Sequence, residues 1–258
     1  MTHVRDLMSY APAARWTAIT CLAVFLIQRV CDRVECVQGY SFGDLLLYCF
    51  GLCPALLASG FAWQLFTYMF LHANWAHLVF NTLSILLLGA GVEMEIGTKR
   101  FVRVFLLGGI VGGLAWALFD LSIVRLAAGA GHMTGWIRAF VASAMAHRVA
   151  TSEGNSICIG ASGGVFALVG VCAALFPRRD ILLFLFWPVR TRHFAFALGI
   201  GAVVFLLYGL GNIAHLTHLV GGIAGYLYGL HLAGAGWGDD DGDDPEAGRS
   251  KIESGPAE

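Results

Sequence analysis

Residues 215–229 read HLTHLVGGIAGYLYG. Two histidines open an otherwise apolar run. Gly221, Gly225 and Gly229 follow His218 at three, seven and eleven residues. That spacing keeps them on one side of a helix. The stretch therefore predicts a helix with a small-residue stripe beneath His218, the kind of face that lets helix backbones approach closely in a bilayer.

The rest of the chain is built in the same style. It has 258 residues, 58% of them hydrophobic and only 13% charged, with a mean hydropathy of +0.72. The charged share is about half that of a soluble domain. A water-soluble fold of this size could not hide so much apolar surface. Such hydrophobicity also excludes intrinsic disorder. With 16 basic and 17 acidic residues, there is no basic excess for binding nucleic acid. A polytopic membrane protein remains, of all-α class.

A membrane-spanning helix needs about 20 mostly apolar residues. Six stretches qualify: 16–34, 73–92, 101–123, 160–176, 193–210 and 213–232. The first lacks a cleavage site followed by polar sequence, so it reads as a retained helix and not a signal peptide. Between the first two, residues 40–64 are apolar but broken by Gly43, Gly51, Pro54 and Gly60, which predicts a re-entrant or interfacial loop. Residues 125–156 are more polar, and 136–147 fit a short amphipathic helix at the interface. No internal repeat suggests an inverted-repeat transporter.

Charge sets the orientation. Eight of the 17 acids lie in residues 236–258, a Gly/Asp-rich tail without periodicity that reads as solvated and disordered. Without it the body carries 14 basic and nine acidic residues, a net of +5. With six spans and cytoplasmic termini, eleven basic residues fall on the cytoplasmic side and five on the other. The positive-inside rule thus favours both termini in the cytoplasm of a multi-pass cell-membrane protein. The expected organisation is a cytoplasmic segment 1–15, a membrane domain 16–235 and an acidic cytoplasmic tail 236–258. The seven cysteines form no metal signature. Cys31, Cys36, Cys49 and Cys53 cluster between the first two spans, where a disulfide forms only in an oxidising compartment; otherwise they pack as small hydrophobes.

Polar groups inside a bilayer are expensive and mark function by default. Besides His215 and His218, two groups stand out. LHANWAHLVFN, residues 71–81, places His77 and Asn81 one helical turn apart, with His72 just before. CIGASGGVFALVG, residues 158–170, sets Ser162 between Gly160 and Gly163 where a polar loop becomes the fourth span. Each motif alone also fits a structural role: His77 and Asn81 as a cap, Ser162 as an N-cap with packing glycines. Together they say more. Spans two, four and six begin on the same side, so Ser162, His218, His77 and Asn81 share one membrane depth. A serine alcohol becomes nucleophilic when a base takes its proton, and a neutral imidazole can do so. His77, Asn81 and the Ser162 backbone N–H are suitable donors for the resulting oxyanion. No Asp or Glu lies in these three helix starts, so the arrangement is a dyad.

These motifs resemble those of the rhomboid intramembrane serine proteases, over about residues 63–229. H-x-x-x-N at His77–Asn81 looks like the family's oxyanion pair, and His72 matches a recurrent family histidine. GASG at Gly160–Gly163 looks like the nucleophile motif, which implies Ser162 as nucleophile. H-x-x-G-x-x-x-G at His218–Gly225 looks like the general-base helix and selects His218 over His215. GVEMEIGTKR resembles the turn after span two and implies structural roles for Glu93 and Gly97. The chain departs at Trp63–Gln64, where many members have Trp-Arg, and at Phe166, where a tyrosine often stacks on the catalytic histidine.

The resemblance implies six helices, a re-entrant first loop and cleavage of other proteins' transmembrane segments near the extracytoplasmic boundary, without cofactor or metal. Gly160, Gly163, Phe166 and His72 would shape the site. The partners expected are transmembrane substrates and the bilayer, and no nucleic acid; the oligomeric state is open. Two other readings are a catalytically inactive relative that binds transmembrane helices, and a metal or transport protein using His72, His77, His215 and His218 as ligands.

Overall fold

The computed structural model describes residues 10–37, 39–128, 156–183, 187–208 and 214–235. The amphipathic stretch 136–147, the acidic tail 236–258 and residues 1–9 lie outside the described residues. What is described is helical, with two small antiparallel hairpins that hydropathy alone did not predict: β1 (Glu35–Val37) with β2 (Tyr40–Ser41), and β3 (Asp180–Leu183) with β4 (Trp187–Arg190).

A helix occupies each of the six apolar stretches: α1 (Pro12–Cys31), α5 (Trp75–Ile96), α6 (Thr98–Ala128), α7 (Ser162–Leu175), α8 (Thr191–Tyr208) and α9 (Ala214–Gly234). Three of them, α1, α5 and the Thr98–Ser122 part of α6, are long and apolar enough to cross a membrane. The broken region between α1 and α5 folds as short helices, α2 (Phe42–Phe50), α3 (Pro54–Ala58) and α4 (Gln64–Thr67), followed by a 3-10 turn at Tyr68–Phe70. Pro54 at a helix start and Gly60 at φ +99° explain why no long helix forms there. The α2 entry is a capping box: the Asp44 backbone N–H donates to Ser41 Oγ, and the Ser41 N–H donates to the Asp44 carboxylate.

Two helices run past their predicted ends for one reason. α1 starts at Pro12, and the first N–H groups of a helix lack internal partners. Glu93, buried near the end of α5, accepts from the N–H groups of Ala13 and Ala14 and from the Thr98 hydroxyl. The carboxylate thereby caps α1 across 80 residues of sequence, and α5 can carry its charge through to Ile96. Gly97, at φ +79°, then turns the chain into α6. The seven described cysteines are free thiols.

α7 is the inner helix. Ten of its residues from Gly163 to Ala173 are buried, and α6 and α9 pack against it. The fit depends on absent side chains. A Cβ on Gly225 would stand 2.0 Å from the Ala167 carbonyl oxygen, one on Gly221 2.5 Å from that of Gly163, and one on Gly170 2.1 Å from that of Gly222. α8 packs mainly on α9 and α7 and leaves Phe196, Ile200, Val203 and Phe205 exposed. Large apolar side chains are likewise exposed along α1, α5, α6 and α9. A surface this apolar suits lipid and not water.

Candidate active site

Ser162 is the first residue of α7, and Gly160 makes that position possible. The Gly160 backbone is at φ +125°, where L side chains are strained, and its N–H donates to the Tyr68 carbonyl at 2.9 Å. The loop before it is fixed by a pair of bonds between Leu52 and Cys158. At the head of α7 the Ser162 and Gly163 N–H groups are among those without helical partners. They form a partially positive end next to the serine hydroxyl.

His218 lies in the first turns of α9. Its Nε2 is 2.7 Å from Ser162 Oγ, although the two residues are 56 apart in sequence. The small-residue contact between α7 and α9 brings them together. Thr217 packs its methyl group against Gly163, at 2.9 Å from a Cβ placed there. Phe166, one turn below Ser162, stacks on the His218 ring with centroids 4.4 Å apart and planes 7° from parallel. His215 meets His218 edge-on at 5.9 Å and stacks on Phe205 at 4.9 Å. His215 therefore sits behind His218, on the α8 side.

His77, half-buried in the first turn of α5, faces the serine from the other side. A Cβ on Gly160 would meet His77 Cε1 and Nε2 at 2.7 Å and Ser162 Oγ at 3.8 Å. The Nε2 edge of the ring thus lies over the bare Cα of Gly160. The Ala73 N–H donates to His77 Nδ1 at 3.5 Å. That assigns the ring hydrogen to Nε2 and makes the edge facing the serine a donor. α5 is N-capped by Asn74, whose side chain accepts from the His77 N–H. Asn81 is buried one turn on, and its Nδ2 donates to the His77 carbonyl at 3.0 Å. An amide nitrogen carries two hydrogens, so one bond leaves a second donor.

His72 is outside the group that touches the serine. It is fully buried, with Nδ1 against the Phe70 carbonyl at 3.2 Å, and its ring meets His77 edge-on at 5.1 Å. Burial first, and the neighbouring His77 second, hold its pKa down at about 4, so at neutral pH it is an uncharged support behind His77. Gln28 of α1 fixes this segment: its Oε1 accepts from the His72 N–H at 3.1 Å, and its Nε2 donates to the His72 carbonyl at 3.4 Å. Among the described residues no three His, Cys, Asp or Glu side chains converge as a metal-ligand set.

Several supporting residues were not legible as such. Gln28 was hidden in a span otherwise apolar. Gln64 ties Tyr48 and Cys53 together through its side-chain amide. Tyr68 donates its hydroxyl to the Gly109 carbonyl on α6 while its own carbonyl holds Gly160. Asp120, buried on α6, accepts from the Ser156 hydroxyl at 2.7 Å and anchors the chain leading to Ser162. For Gln28 and Asp120 the signal available was a polar group within an apolar run.

Comparison with known proteins identifies the family. A family model described as "Rhomboid domain" matches residues 59–235. "Rhomboid protease GluP" of Bacillus subtilis is 34% identical over 113 residues, 43% of this chain and 22% of that protein. "RHOMBOID-like protein 1" of Arabidopsis thaliana is 25% identical over 171 residues, 65% of this chain and 34% of the relative. "Rhomboid-like protease 3" of Toxoplasma gondii is 30% identical over 132 residues, half of this chain and 48% of the relative. The chain thus spans less than half the length of these three curated relatives. With the family model covering most of the membrane body, this chain belongs to the rhomboid family.

Proposed function

We propose that the chain is an intramembrane serine endopeptidase with a Ser162–His218 dyad. The observation that carries this reading is the 2.7 Å approach of His218 Nε2 to Ser162 Oγ at the head of a buried helix. Ser162 Oγ attacks a peptide carbonyl as its proton passes to His218 Nε2. The oxyanion that forms is held by the Ser162 N–H, by His77 Nε2–H and by the second Asn81 N–H. His218 then gives its proton to the leaving amine, and water, deprotonated by the same ring, hydrolyses the acyl-enzyme. The stack on Phe166 holds the imidazole plane, the task a carboxylate performs in a triad.

The substrates are transmembrane segments of other proteins. A substrate helix must unwind locally, because its carbonyls are engaged in helical hydrogen bonds. Small residues near the cleavage point favour that, since they weaken the helix and enter a narrow site. In this reading six helices cross the membrane, residues 40–64 form the re-entrant loop, both termini are cytoplasmic, and the site opens extracytoplasmically in the cell membrane.

Fluorophosphonate labelling of purified protein tests the nucleophile. Labelling at Ser162, absent in Ser162→Ala and His218→Ala, is expected, together with cleavage of a transmembrane reporter that both variants lose. A folded wild type that neither labels nor cleaves would identify a helix-binding, inactive relative.

A further inference from the structure

A groove of about 520 Å³ runs between α7, α8 and α9, within the size range of small-ligand sites. Its walls are apolar, with Val169, Ala173, Leu198 and Ala202 among them. The lining runs from the stacked Phe166 and His218 at one end to Pro177 and Arg192 at the other. Along α8 the lining extends from Arg192 to Ala202, ten residues or about 15 Å at the helical rise. That is about half the hydrocarbon thickness of a bilayer, the depth of one leaflet.

The Pro177–Arg192 end is basic. Arg178 just before β3, Arg190 on β4 and Arg192 at the start of α8 are all exposed. Arg179 is engaged with Glu95. Asp180 is the one acid of the described hairpin residues. Among the described residues no carboxylate lies within ion-pair distance of Arg192. Trp187, 63% exposed at the start of β4, is the residue type that sits at headgroup level. A basic rim over an apolar slot one leaflet deep matches an anionic headgroup on an acyl chain.

We propose that this groove binds one acyl chain of an anionic phospholipid, with the phosphate on Arg192 and the chain end against Phe166 and His218. The proposal rests on the membrane setting of the helices and not on the protease reading, so it stands or falls separately from Ser162 chemistry.

The test uses the full chain in phosphatidylcholine nanodiscs. These are doped with phosphatidylglycerol carrying a photoreactive diazirine near the end of one acyl chain. After irradiation, labelled peptides are mapped. Label is expected on the groove faces of α7, α8 and α9 in excess of the exposed face of α1. Arg192→Gln should lower that excess about fivefold, the scale for one basic residue at an anionic headgroup. Gly199→Leu should abolish it, because Gly199 lines the groove and a Cβ there meets nothing within 4 Å. Thermal unfolding confirms that both variants fold. A phosphatidylcholine probe of the same chain should show no excess, and this wild-type contrast decides the matter without any variant. Equal labelling by the two probes, or groove labelling no higher than on α1, overturns the proposal. So does displacement of the label by a transmembrane peptide, or a cross-link through α8 to a second copy, since either would give the groove a protein occupant.

Discussion

Replacing Gly225 by alanine tests whether the approach of two helices creates the Ser162–His218 contact. In an isolated helix this change is favourable by about 1 kcal/mol. Here the new Cβ would stand 2.0 Å from the Ala167 carbonyl oxygen and 2.6 Å from the Ala167 Cα and carbonyl carbon. These are backbone atoms that no rotamer change can move. Ordinary contact begins at 3.4 Å, so the α7 and α9 axes must separate locally by roughly 1.4 Å. The same two helices carry Ser162 and His218, now 2.7 Å apart. A comparable widening at the dyad takes that distance past about 3.5 Å and breaks the hydrogen bond.

The expected result for Gly225→Ala is a loss of about 10²–10⁴ in the fluorophosphonate acylation rate, the scale of general-base catalysis. Overpacking should add about 1–3 kcal/mol of destabilisation, read as a lower Tm. Gly222→Ala is the control. It lies on the same helix, but its Cβ meets only Phe166 O at 3.7 Å and Phe166 Cβ at 4.0 Å, so it should acylate at near the wild-type rate. Wild-type acylation in Gly225→Ala, or an equal loss in Gly222→Ala, would refute the argument that helix approach sets the dyad.

Asn81→Ala should slow turnover about 10²–10³-fold by removing one oxyanion donor, with Ser162–His218 geometry intact; an unchanged turnover removes Asn81 from that role. Gly160→Ala should be more damaging, because its Cβ would press on the His77 ring at 2.7 Å and its backbone is at φ +125°; acylation kinetics alongside Tm separate the lost donor from strain of about 1–3 kcal/mol. Glu93→Ala should lower Tm while sparing the dyad, since it uncaps α1 and costs about 1–3 kcal/mol for the polar groups left unpaired; a Tm within experimental error of wild type would contradict the cap. His72 predicts a pH effect. In the folded chain it stays neutral down to about pH 4, whereas unfolded it takes up a proton near pH 6.5. Its contribution to stability is therefore complete above pH 6.5 and is lost as the pH falls toward 4. The Tm gap between the wild type and His72→Gln should narrow over that window, and a constant gap would exclude it.

The amino-acid sequence determined by itself that the chain belongs in a bilayer and where its helices lie, because hydropathy over 20 residues is a local property. It also exposed His77, Ser162 and His218, since polar groups in an apolar background have few structural excuses. Helix ends were less legible. A hydropathy window stops at a carboxylate such as Glu93, while the helix continues because that charge is satisfied by N–H groups 80 residues away. Gln28 and Asp120 are hard to read from sequence for the same reason: their partners, the His72 backbone and the Ser156 hydroxyl, come from other segments. Only the tertiary structure decided which side chains meet. The contact of His218 with Ser162, the ring of His77 over Gly160 and the groove ending at Arg192 all depend on how closely α7, α8 and α9 approach. That distance is set by backbone-to-backbone packing at glycines, which a linear pattern can suggest but cannot measure.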